Sequence, residues 1–242
     1  GKNPDDVSVT NEDNETASIT VSALSGNTTE MGGTATFTVV LDNQPTADVS
    51  IAVSSSDTSE ATISPSSLTF GSSNYSNLQT VTVTGVDDFY DDDNVSYTIT
   101  VDPSSSIASY NTMTSSTVTG SNIDNDTAAI TVGAKSGNTS EFETTATISV
   151  TLATIPTANV SIVVTDNDST EVSITPTTLT ITPSTWNTTN QVKLTVQDDS
   201  DNDGNISFHI SFGNATSTDS KYNGMAPSPA FVNEISVDDY AD

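Results

Sequence analysis

The chain has no cysteine and no arginine. Four lysines, Lys2, Lys135, Lys193 and Lys221, and one histidine stand against 32 acidic residues, a formal net charge of −28 over 242 residues. Without cysteine there is no disulfide framework and no thiol chemistry. So few bases build no patch able to neutralise a nucleic-acid backbone, and an anionic membrane surface repels such a chain. No run approaches the ~18 apolar residues of a membrane-spanning helix. Apolar residues make up 33% of the chain, low for a globular protein. Low hydrophobicity with high net charge is also how disordered segments look. Against that reading, the apolar residues alternate with polar ones, and they do so twice in register.

Signs of catalysis are also missing. Ser and Thr fill roughly a third of the chain, yet no G-x-S-x-G or triad spacing appears. His209 lies between Phe208 and Ile210, so it is expected on a wet face, with no nucleophile beside it. Paired carboxylates can hydrolyse glycosides, but the acid pairs here are read as a cation-binding rim rather than a catalytic pair. Trp186 and Tyr75 read as edge-of-core residues rather than a sugar platform. The chain is therefore read as non-catalytic, and its Ser/Thr-rich, base-poor composition as that of an exported protein.

What is present is a repeat. D-D-F-Y-D-D-D-N at 87–94 returns as D-D-S-D-N-D-G-N at 198–205, 111 residues later. Around it the strand-like runs are copied nearly position for position. Ile19 and Val21 match Ile130 and Val132. Ala35, Phe37, Val39 and Leu41 match Ala146, Ile148, Val150 and Leu152. Val49, Ile51 and Val53 match Val160, Ile162 and Val164. Ile63 and then Leu68 and Phe70 flank Ser64-Pro65-Ser66, read as a turn. Val81 and Val83 lead into the acidic stretch, and Val95, Tyr97, Ile99 and Val101 leave it. About seven strands per ~110 residues, with turn signals between them and no helical period, predict immunoglobulin-like sandwiches of antiparallel sheets. The expected fold is all-β: two tandem Ig-like sandwiches plus one surplus N-terminal strand. That strand, Val7, Ser8, Val9 and Thr10, matches the end of a repeat, because V-S-V-T-N-E-D-N returns as V-T-G-S-N-I-D-N at 118–125. The expected division is 1–14 as the last strand of a preceding repeat or a strand given to a neighbour, 15–126 as the first repeat and 127–242 as the second.

An acidic loop of this density repels itself. Hard cations with oxygen ligands relieve that, and calcium takes six to eight such ligands in flexible geometry. Asp199-x-Asp201-x-Asp203-Gly204 matches the first half of an EF-hand loop. The match then fails, because Ile210 stands where the bidentate Glu belongs. Further acids are expected on the same rim: Asp124 and Asp126, Asp238 and Asp239. Glu30 and Glu141 occupy matching turns, as do Asp57 and Asp168.

E-x-G-G-T-A-T-F, then V-D-D, then a terminal I-D-N-D resembles Calx-beta domains. S-P-x-x-L-x-F at 64–70, W-N-T at 186–188, Y-N-G at 222–224 and N-x-D-N at 122–125 are similar to the Calx-beta-like repeats of large bacterial surface proteins. The resemblance spans nearly the whole chain. It implies calcium at the distal rim, held by Glu30, Asp87, Asp88, Asp92, Asp124 and Asp126 in the first repeat. In the second it implies Glu141, Asp198, Asp199, Asp203, Asp238 and Asp239. Asn125, where the family has an acid, and the different spacing of the two loops depart from the pattern.

The sequence thus points to a non-catalytic extracellular structural protein, a calcium-rigidified stalk or fibre segment of a cell-surface adhesin. Its expected partners are neighbouring repeats or copies of itself. They exclude nucleic acid, and no membrane insertion is expected. Two alternatives stand beside it: a filament subunit joined by addition of its N-terminal strand to a neighbour's sheet, and a carbohydrate- or protein-binding module.

Overall fold

Alternating valine, isoleucine and threonine give each strand one apolar and one polar side, and the fold follows from where the apolar sides meet. The computed structural model describes residues 8–10, 12, 14–137, 139, 144–197 and 205–236. The first half holds β1 (Ile19–Val21), β2 (Thr28–Thr29), β3 (Thr34–Leu41), β4 (Val49–Ser55), β5 (Ala61–Ser64), β6 (Ser67–Phe70), β7 (Gln79–Gly85), β8 (Val95–Ser105), α1 (Ala108–Asn111) and β9 (Ser116–Ile123). One sheet is ordered β1-β3-β7-β5 and the other β2-β9-β8-β4-β6. The second half holds β10 (Ile130–Lys135), β11 (Thr145–Leu152), β12 (Val160–Asp166), β13 (Val172–Thr175), β14 (Thr178–Ile181), β15 (Asn190–Val196), β16 (Ile206–Phe212) and β17 (Phe231–Ser236). Its sheets are β10-β11-β15-β13 and β14-β12-β16-β17.

The copy extends to pairing. Phe37 lies opposite Val81, and Ile148 opposite Val192. Val49 lies opposite Phe70, and Val160 opposite Ile181. In the first core Phe37, Val39, Leu41, Val81 and Val83 pack with Ile51, Tyr97, Ile99 and Val101. In the second Ile148, Val150, Val192 and Leu194 pack with Ile162, Phe208, Ile210 and Phe212. Tyr75 and Trp186 are half-buried against the two cores, as edge-of-core aromatics. The His209 ring lies edge-on to exposed Phe231, with centroids 6.0 Å apart, on the outer side of β16.

Three features differ from the sequence reading. Among the described residues there are nine strands in the first half and eight in the second, rather than about seven. Ser64-Pro65-Ser66 is no simple turn: β5 pairs with β7 in one sheet, while β6 pairs with β4 in the other. Proline has no N–H for a ladder, so the run breaks there and its halves serve different sheets. The two-residue β2 and the four-residue α1 are also additional. Both are too short to carry a period.

Contacts divide the chain into Gly1–Asp88 with Asp93–Asp124, and Phe89–Asp92 with Asn125–Asp242. Of the expected surplus strand, Val7 lies outside the described residues. Ser8, Val9 and Thr10 are exposed and outside every strand of this chain, with Val9 84% exposed.

Candidate metal centre

Two groups of carboxylates form at one rim, and the strands explain why. β2 runs parallel to β9, with Thr28 beside Asn122 and Thr29 beside Ile123. The next residues, Glu30 and Asp124, therefore leave the pair together. The Glu30 N–H holds that exit by donating to the Ile123 carbonyl at 3.1 Å. Glu30, Asp124 and Asp126 each bring a carboxylate oxygen within 4.8 Å of the others. Glu60, Asp88 and Asp92 form a second such group. Glu60 stands just before β5, and the N–H of Val86, just after β7, donates to its carbonyl at 3.0 Å. That bond brings Glu60 to the start of the acidic stretch.

Behind the carboxylates sits a buried polar layer. Asn122, 1% exposed, donates from its amide to the Glu60 Oε2 at 3.3 Å and to the Val86 carbonyl at 2.9 Å. Its Oδ1 accepts from the Thr28 hydroxyl at 3.0 Å, and that hydroxyl lies 3.1 Å from the Tyr97 oxygen. Gly85 makes the packing possible. A Cβ there would lie 2.2 Å from the Thr29 carbonyl oxygen and 2.4 Å from Asn122 Oδ1.

Glu30 and Glu60 are only 2% and 5% exposed. Burial pushes the Glu60 carboxyl above its ordinary range. The Asn122 amide opposes this, while Asp88, Asp57 and Asp124 raise it further. A buried carboxylate among acids is costly unless a cation shares the site. All six donors are carboxylates, the hard oxygen ligands suited to calcium. The residues fit such an ion on these grounds.

Of the residues the sequence singles out in the first repeat, Glu30, Asp88, Asp92, Asp124 and Asp126 come together in these two groups. Asp87 enters neither. It is exposed while Asp88 is partly buried, because successive side chains in an extended segment point to opposite sides. Glu60 was missed by the sequence reading. Glu171, its match 111 residues on, is likewise buried, at 6% exposed, and accepts from the Gln197 N–H at 2.8 Å. A signal existed: D-T-S-E and D-S-T-E precede matching strands at 57–60 and 168–171. The candidates of the second repeat, Glu141, Asp198, Asp199, Asp203, Asp238 and Asp239, lie outside the described residues.

Asp57 and Asp168 have another task. Asp57 accepts from the hydroxyl and N–H of Ser59, at 2.5 and 3.0 Å, and Asp168 from those of Thr170, at 2.6 and 3.2 Å. These bonds close the turns that present Glu60 and Glu171. They also hold both aspartates below the ordinary carboxylate range, the side-chain hydroxyl acting most strongly.

Phe89–Asp92 is the tip of the same acidic loop and belongs by contact to the second unit. There the Phe89 carbonyl accepts from the Ile155 N–H at 2.7 Å. Its ring lies 5.8 Å from that of Trp186. Asp91 accepts from the Ala128 N–H at 2.8 Å and from Lys221 Nζ at 2.6 Å. Burial pushes the Asp91 carboxyl up, but those two partners outweigh it and hold the carboxyl below its usual range. Asp93, next in the loop, has φ of 65° and donates its N–H to Asp124 at 2.9 Å.

No protein-family model and no curated protein sequence matches the chain. Among solved structures it is similar to CBD12 from CALX1.2, at 13% identity over 83% of this chain and 82% of that one, with a TM-score of 0.34. The calcium binding domain CBD12 of CALX1.1 gives 14% identity, coverage of 78% and 77%, and a TM-score of 0.33. Domains 5-6 of the S-layer protein SbsC give 18% identity, coverage of 91% and 97%, and a TM-score of 0.30.

Proposed function

We propose that this is a non-catalytic structural protein of the cell exterior, a stalk or fibre segment made rigid by calcium. One observation supports it most: two buried glutamates, Glu30 and Glu60, each meet two further carboxylates at one rim. The surplus of negative charge fits the same reading, since bound cations offset self-repulsion. The absence of arginine and scarcity of lysine leave few protein cations to do so.

Melting tests it. With free calcium about one hundredfold above Kd, one site adds roughly 2.7 kcal/mol. For a chain of this size that corresponds to a rise of about 5 to 10 °C. Equal melting in millimolar calcium and in excess chelator would remove the basis of the proposal.

A second reading, a filament subunit joined by its N-terminal strand, draws on the exposure of Ser8, Val9 and Thr10 outside any sheet of this chain. Light scattering at high protein concentration separates the two. A chain that stays monomeric, with those residues still mobile by NMR, refutes strand addition.

A further inference from the structure

We infer that the cleft beside Ala17, Gln44 and Tyr110 in the first unit is a socket for the acidic, aromatic-tipped loop of a neighbouring sandwich of this same kind. The second unit shows what such a socket holds. Phe89 and Asp91 are held there by the Ile155 N–H, the Ala128 N–H and Lys221 Nζ, with the half-exposed Phe89 ring tilted against that of Trp186. Each gripping position has a counterpart in the first unit. Ile155 and Ala128 match Gln44 and Ala17 at the 111-residue offset, and Trp186 matches Tyr75. Lys221 and Tyr222 match Ser109 and Tyr110 at an offset of 112.

The correspondence is structural as well as numerical. Ile19 pairs with Leu41 as Ile130 pairs with Leu152. The Tyr110 hydroxyl donates to the Asn43 carbonyl at 3.3 Å, as Tyr222 donates to Thr154 at 2.8 Å. The Asn111 N–H donates to Ile107 as the Asn223 N–H donates to Asp219.

In the first unit this place is an open cleft of about 190 Å³, lined by Glu15, Ala17, Gln44, Pro45, Ser109 and Tyr110 among others. The N–H groups of Ala17 and Gln44 donate to no group among the described residues. Their counterparts are the two donors that hold the loop in the second unit. The occupant is therefore a peptide loop with an aromatic residue followed two positions later by aspartate. The chain's own second loop has Ser200 and Asn202 at those positions, so the fitting partner is a repeat whose loop carries both. This goes beyond the calcium reading and concerns a different end of the first unit.

The test uses the isotope-labelled full chain and a cyclic peptide of D-D-F-Y-D-D-D-N, titrated to several millimolar in calcium buffer. Amide shifts at Ala17 and Gln44 are expected, and Ser109→Lys should tighten binding about tenfold by restoring the lysine. A peptide with Asn at its fifth position should lose the shifts. A chain carrying Phe89→Ala and Asp91→Ala opens the second socket and calibrates the probe at Ile155 and Ala128. Binding there without binding at Ala17 and Gln44 overturns the inference. Silence at both sockets overturns it too, since a surface that holds no such loop at that concentration is no docking site. The melting experiment reads ions and this one reads the cleft, so either proposal can fail alone.

Discussion

Glu60 has two opposed effects on stability. Its carboxyl holds a proton above the ordinary glutamate range because it is buried among acids. In metal-free protein, stability should therefore fall as pH rises from the ordinary glutamate pKa through the raised folded value. Glu60→Gln should raise the metal-free melting temperature and cut calcium affinity about tenfold, roughly 1.4 kcal/mol. Calorimetry with and without chelator checks both halves, and a variant that loses stability in both states refutes the assignment. Asp91 behaves in the reverse way. Its folded pKa is depressed, so its contribution is full above the ordinary aspartate value and is lost as pH falls through the folded one. Asp91→Asn should cost about 2 kcal/mol at neutral pH, read by urea unfolding, and the gap should close in acid. Most of the acids in the two groups were legible in the sequence because they cluster in it. Glu60 was not singled out: the repeated D-x-x-E marks its position before the strand, but the Val86–Glu60 bond that brings it to the acidic stretch is visible only in the fold.

At the level of elements, β2 matters out of proportion to its two residues. Its parallel pairing with β9 delivers Glu30 to Asp124. Gly85 lets it seat, because any side chain there would strike the Thr29 carbonyl. Gly85→Ala should cost about 1 to 3 kcal/mol and weaken calcium binding by shifting Glu30. Isothermal titration would show this, and undiminished affinity would detach β2 from the site. The longer strands were readable from alternation alone, down to matching partners such as Phe37–Val81 and Ile148–Val192. The switch of sheets at Pro65 was not. A proline marks where a strand stops without saying which sheet receives the next one.

Across the whole molecule, a net charge of −28 makes stability sensitive to ions of every kind. Screening by monovalent salt and occupancy of a site can be told apart. At equal ionic strength calcium should stabilise more than magnesium, which demands stricter octahedral geometry and sheds water reluctantly. Equal gains from both would mean general screening. Trp186 is the only tryptophan in the chain, and its ring lies against Phe89 at the tip of the acidic loop. Its fluorescence is thus a built-in optical gauge. A red-shifted emission would announce that the tip had left its seat, with no label attached and long before the sheets themselves came apart.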